Sequence, residues 1–140
     1  MRHSKKPVIS VEHLNKSFNG KPAVIDFNLE LYEGDICGFL GPNGAGKTTT
    51  LRMLCGLIIP DSGSGHCLGY DIINNFSEIK QNIGYMPQKF SLYGNLSVYD
   101  NLDFIACLYN LKRRSEKIKD VMSLFRLNDY KPKKISTNLR

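Results

Sequence analysis

Apolar and polar residues alternate over the first part of the chain. Val8 to Phe18 alternates unevenly, as a half-buried strand does. From Ala23 to Tyr32 the alternation is regular. Ile25, Phe27, Leu29 and Leu31 lie on one side, predicted to face a core, and Val24, Asp26, Asn28 and Glu30 on the other. Asn19-Gly20-Lys21 between the two runs is a hairpin turn signal. A short apolar run, Ile36 to Leu40, is bounded by turn residues and predicts a buried strand. The period then changes. Leu51, Leu54, Cys55 and Ile58 stand at helical spacing. After the turn at 60–63, residues 64–71 predict a short strand, Phe76 to Gln81 a brief helix or turn, and Asn82 to Gln88 a strand ending at Pro87. Ser97, with Asp100 three residues on, opens a helix whose face is Val98, Leu102, Ile105 and Tyr109. Ile118, Val121, Met122 and Phe125 mark a second amphipathic helix.

Between the run ending at Leu40 and the helix lies Gly41-Pro42-Asn43-Gly44-Ala45-Gly46-Lys47-Thr48-Thr49. It fits G-x-x-x-x-G-K-[ST] from Gly41 to Thr48, and it stands in the required order of strand, loop and helix. Glycines let backbone N–H groups turn toward a phosphate, and a helix N-terminus adds its dipole. Lys47 supplies a point charge to the β- and γ-phosphates, Thr48 a hydroxyl for Mg²⁺, and Thr49 another hydroxyl for phosphate. The glycine spacing G-x-x-G-x-G is not that of a dinucleotide fingerprint.

Composition narrows the setting. The chain has 140 residues, 41% hydrophobic and 23% charged, which are globular values. No apolar h-region follows the basic start, and no run is long enough to span a membrane, so the expectation is a soluble protein. Cys37, Cys55, Cys67 and Cys107 show no C-x-x-C spacing and are expected to be free, mostly buried thiols of a cytosolic protein. The net charge of +6 belongs to the tail. From Lys112 onward there are ten Lys/Arg and three Asp/Glu. Only two aromatic residues, Phe125 and Tyr130, stand among those charges, which favours a solvated face over a nucleic-acid surface.

The segment from Leu14 to Ser64, followed by "IGYMPQKFSLYGNLSVYDNL", resembles the opening of an ABC-type ATPase, the nucleotide-binding subunit of ATP-binding-cassette transporters. The resemblance covers nearly all of the chain. It implies an α/β P-loop NTPase fold: an N-terminal antiparallel β subdomain, a parallel core strand, the helix after the Walker A loop, and the start of a helical subdomain. The fold is expected to be incomplete, with residues 1–90 holding the β subdomain, Walker A and Q-loop, 91–130 the start of the helical subdomain, and 131–140 a basic tail. It further implies ATP and Mg²⁺ as cofactors, Phe18 as the ring that stacks on adenine, and Gln88 as the Q-loop glutamine near Mg²⁺ and the γ-phosphate. Phe90, Leu92 and Tyr93 are implied contacts for a separate membrane permease. A second ATPase subunit is implied as dimer partner, at the cytoplasmic face of the membrane. The wording around Ser91–Leu111 looks most like the exporter branch.

The sequence holds no apolar strand followed by Asp-Glu, no complete L-S-G-G-Q signature and no histidine late enough to sense a γ-phosphate. "KKISTNL" resembles the run-in to that signature. The expectation is the front half of an ABC ATPase, marginally stable and prone to aggregate, with nucleotide affinity and negligible turnover on its own. Two alternatives stay open: a non-catalytic nucleotide-binding remnant, and a soluble ABC-type ATPase acting on nucleic acid or the ribosome.

Overall fold

The computed structural model describes residues 6–88 and 92–130. They form two compact units that divide after Tyr85. In the first, β1 (Ile9–Phe18) and β2 (Lys21–Leu31) make the expected antiparallel hairpin. Asn19 and Gly20 turn it with φ of 50° and 75°, the left-handed pair that a two-residue type I′ turn requires. β3 (Ser62–Cys67) pairs with the other edge of β1, and β4 (Tyr70–Asp71) with β3, giving the sheet order β2-β1-β3-β4. The segment 64–71 is therefore not one strand. Leu68 and Gly69, both at positive φ, fold it into a second tight hairpin.

Helices α1 (Lys47–Leu54) and α2 (Phe76–Asn82) supply core residues to this unit. The core gathers Val11, Leu14, Val24, Met53, Leu54, Cys67, Ile72 and Ile79, with Phe27, Leu29 and Phe39 packed against it. α1 buries Met53 and Leu54, whereas Leu51, expected on the buried face, is exposed.

The strand parity departs from expectation at β2, and the cause is local. Ile25 is 71% exposed while Val24 is buried. The β1–β2 register shifts between Leu14↔Phe27 and Lys16↔Val24, so the side-chain phase changes between Val24 and Phe27. At the bulges His13 and Asp26 take φ of 52° and 48°. The ladder cannot serve their backbone groups there, and two asparagines do so instead. The Asn28 side chain accepts from the His13 N–H at 2.9 Å and donates to the Asp26 carbonyl at 2.8 Å. The Asn15 side chain accepts from the Asp26 N–H at 2.9 Å and donates to the His13 carbonyl at 2.7 Å. The His13 ring and the Asp26 carboxylate meet at 2.5 Å on the exposed side.

Two further expectations are corrected. Neither 36–40 nor 82–88 forms a sheet strand: Asn82 ends α2, and the rest of both runs has no ladder to another described strand. Ile36 is fully exposed and Leu40 is 96% exposed. A parallel strand is defined by a neighbour reached through a crossover, and no described segment supplies one. The cysteines are free but not mostly buried. Cys67 is buried, Cys55 half-buried, and Cys37 and Cys107 exposed. Burial pushes the Cys67 thiol up to about 11, with Cys55 nearby adding to the shift. It is therefore a protonated packing residue at neutral pH.

In the second unit, α3 (Val98–Leu108) opens with a full capping box. The Ser97 hydroxyl accepts from the Asp100 N–H, and the Asp100 carboxylate accepts from the Ser97 N–H. α4 (Arg114–Leu124) packs against α3 through Ala106, Ile118 and Met122, and Arg114 meets Asp103 at 2.7 Å. The buried face of α3 is turned from the expected one. Asn101 and Ala106 are buried, Ile105 and Tyr109 exposed. On α4, Phe125 just past the helix is exposed rather than packed. Asn101 explains part of the rotation. Its side chain accepts from the Tyr93 N–H at 2.8 Å and donates to the carbonyls of Tyr93 and Ser97. A buried amide thus fixes the loop ahead of the helix.

Asn101→Leu strands the Tyr93 backbone groups, so a destabilisation of about 1–3 kcal/mol is expected in denaturant unfolding of the full chain. The Asp26 carboxylate hydrogen-bonds the His13 ring and raises its pKa, while His13 lowers that of Asp26. The attraction is present where both are charged. It fades as pH rises through the raised His13 pKa and as pH falls through the lowered Asp26 pKa. An NMR titration should place His13 above the ordinary histidine value of about 6.5, and Asp26→Asn should bring it back.

Candidate functional site

The glycine-rich loop and α1 form the site, and both lie in the first unit. The loop enters α1 through Gly46, which caps the helix at φ 80°. A Cβ built there would lie 2.2 Å from the Ala23 carbonyl oxygen and 3.2 Å from a Val24 methyl. No side chain fits that space, and no L-residue adopts that φ without strain. β2 thus presses on the point where loop becomes helix. The bulge that turns Val24 inward places it there.

The mouth of the loop is electropositive. The Lys47 ammonium donates to the carbonyls of Gly41 and Pro42, each at 2.6 Å. It is curled back over its own loop. Ala45 N–H donates to the Pro42 carbonyl at 3.3 Å, and Thr50 N–H to the Gly46 carbonyl at 2.8 Å, the first bond of the helix. The N–H groups of Lys47, Thr48 and Thr49 precede any intrahelical acceptor. No side chain caps that end, and its first turn has no acidic residue. The donor set fits an anion with several oxygens: three amides at a positive helix terminus, one ammonium and two adjacent hydroxyls. Asn43, Gly44 and Thr48 are exposed to whatever enters, and Thr50 is buried against the core.

The remaining predicted residues lie on other elements of the chain. Phe18 ends β1, in the first unit, and is 46% exposed. Gln88 is exposed and belongs to the second unit, after Met86. Leu92 and Tyr93 are exposed, and the Tyr93 ring meets Phe104 edge-on at 5.2 Å. Phe90 lies outside the described residues, as does the run-in at 134–139. Among the described residues no group of three His, Cys, Asp or Glu side chains is placed to hold a metal, and no helix is long and apolar enough to cross a membrane. Sequence reasoning missed Asn15 and Asn28, which act through backbone geometry. Two non-glycine residues at positive φ mark them in the structure, but an asparagine in a strand carries no such label in a sequence.

The glycine-rich loop running into α1, the crowded Gly46 and the self-bound lysine fit a P-loop. The family model described as ABC transporter matches residues 24–139. The chain belongs to the ABC transporter family and carries part of its ATP-binding domain. It is 45% identical over 122 residues to the "Probable multidrug ABC transporter ATP-binding protein YbhF" of Escherichia coli (strain K12), covering 86% of this chain and 21% of that protein. It is 42% identical over 127 residues to the human "Phospholipid-transporting ATPase ABCA3", covering 86% of this chain and 8% of that one. The chain thus spans about a fifth or less of these relatives. Among solved structures, a putative ABC transporter ATP-binding protein from Pyrococcus furiosus superposes with a TM-score of 0.76 at 27% identity, covering 92% of this chain and 62% of that one. An ATP-binding subunit of an ABC transporter superposes at 0.75 and 24% identity, covering 87% and 52%, a likeness of fold.

Gly46→Ala is expected to displace the Ala23 backbone or the loop itself. Its melting temperature should fall, and phosphate-ligand binding by calorimetry should be lost, whereas Gly44→Ala, with nothing within 4 Å of its Cβ, should cost only its positive-φ strain.

Proposed function

We propose that this chain is the nucleotide-binding portion of an ATP-driven exporter's ATPase subunit. The observation that carries the reading is the Lys47 ammonium held over the loop mouth at an uncapped helix N-terminus. The loop amides and Lys47 bind the phosphates of ATP, Thr49 adds a hydroxyl, and Phe18 offers its ring to adenine. Thr48 and Gln88 are the ligands this chain offers to Mg²⁺, which when bound would neutralise phosphate charge. Gln88 belongs to the second unit.

Coupling requires a membrane partner. Leu92 and Tyr93, exposed next to the Gln88 segment, are the apolar contacts for a permease subunit at the cytoplasmic face, and a second ATPase subunit completes the nucleotide site. The export reading draws support from the relatives whose names specify multidrug and phospholipid transport. Phosphoryl transfer depends on positioning and charge stabilisation. The 140 residues include no apolar strand ending in Asp-Glu to orient water, so the chain alone binds nucleotide with negligible turnover.

Calorimetric titration of the full chain with ATP and Mg²⁺ should show binding that Lys47→Ala weakens about ten- to a hundredfold, the scale of a charge-assisted hydrogen bond. Phosphate release should be the same for both proteins. Equal affinity in the two would remove the reading, and Lys47-dependent turnover would remove the inference of inactivity.

A further inference from the structure

Phe18 has a neighbour that its proposed role does not account for. The Lys16 ammonium stands 5.7 Å from the centroid of the Phe18 ring. The same ammonium donates to one oxygen of the Asp61 carboxylate at 2.6 Å. The other oxygen accepts the Ser17 backbone N–H at 2.7 Å. Asp61 is itself tied to β1, its own N–H donating to the Asn15 carbonyl at 2.9 Å. One carboxylate, on the loop between α1 and β3, thus grips both the backbone and the side chain of the two residues ahead of Phe18.

The place is where the sheet runs out. The β1–β3 ladder ends at Asn15↔Ser62, and Phe18 lies three residues further along β1. Beyond that point β1 is paired with β2 alone, Phe18↔Lys21 being the last pair before the turn, and a strand end paired on one side only frays more readily. Asp61 takes the place of the pairing that β3 no longer supplies. It also holds Lys16 mostly out of water, with 17% of that side chain exposed, although a free lysine head would favour solvent. The Lys16 ammonium and the Ser17 N–H hold the Asp61 carboxyl below the usual carboxylate range.

We infer that the Asp61–Lys16 pair is a positioning device for a base platform, holding the Phe18 ring in a fixed orientation so that a purine stacks on an ordered surface. The inference rests on the nucleotide reading above and deepens it. Neither residue belongs to the phosphate loop. Their effect is confined to the base, and an ordered ring raises affinity by sparing the ligand the cost of ordering it.

The test compares ATP with inorganic tripolyphosphate, which carries the phosphates without a base. Both are titrated calorimetrically with Mg²⁺ against the full chain and its Lys16→Met, Lys16→Arg and Asp61→Ala variants. Lys16→Met and Asp61→Ala should weaken ATP about three- to tenfold, the scale of a cation–π contact, and leave tripolyphosphate unchanged. Lys16→Arg, which keeps the ion pair and a cation over the ring, should retain the wild-type ratio. In a Phe18→Ala background Lys16→Met should cost nothing further. Equal losses on both ligands would mean general damage to the fold and would overturn the inference, as would undiminished ATP binding. A wild type that binds tripolyphosphate as tightly as ATP would overturn it too, while the phosphate site stands. A wild type that binds neither would remove the nucleotide reading and the inference with it.

Discussion

The first unit depends on two asparagine side chains standing in for a broken ladder. Asn15 and Asn28 satisfy the N–H and carbonyl groups of His13 and Asp26 where the β1–β2 register slips. Without those four bonds, backbone polar groups would be left unpaired and the bulge would be costly. With them the bulge is stable, and β2 changes its side-chain phase between Val24 and Phe27. Val24 enters the core beside Met53 and Leu54 of α1. Ala23 brings its carbonyl against Gly46, where only a hydrogen fits. The phosphate loop is thus shaped from behind by a register defect in a hairpin several residues away in sequence.

That defect also explains what was legible in the sequence. The hairpin, the helix after the loop, the capping box at Ser97 and the loop itself follow from local signals: turn residues, periodicity, an N-cap, a spacing of glycines and lysine. The inward face of β2 did so only in part: Phe27 and Leu29 pack against the core as expected, and Ile25 does not. Period-two alternation assumes an unbroken ladder, and it placed Ile25 inside where the bulge puts Val24. The face of α3 was misjudged for a related reason. Hydrophobic periodicity cannot see that a polar Asn101 is buried to bind the loop before it. The apolar run at 36–40 suited a buried strand, but burial of a parallel strand is conferred by neighbours, and the described residues give Ile36 and Leu40 none.

The site residues divide in the same way. Gly41 to Thr49 were readable as a unit because the function proposed for that loop rests on contiguous backbone. Phe18 and Gln88 rest on resemblance, and the structure gives each an exposed position, Phe18 in the first unit and Gln88 in the second. The Lys16–Asp61 pair was not readable, since its partners are 45 residues apart and neither belongs to a phosphate-binding pattern.

A lysine has four rotatable side-chain bonds, and fixing them gives up about 1.5–2 kcal/mol of conformational entropy. In most anion sites the ligand imposes that loss when it arrives. Lys47 is fixed already, by two carbonyls of the loop it serves. The loss falls on folding instead of on binding. On the proposed reading, an incoming phosphate would meet a cation that needs only to exchange one set of oxygen partners for another, and the response of the loop to its ligand would be a substitution, not a search.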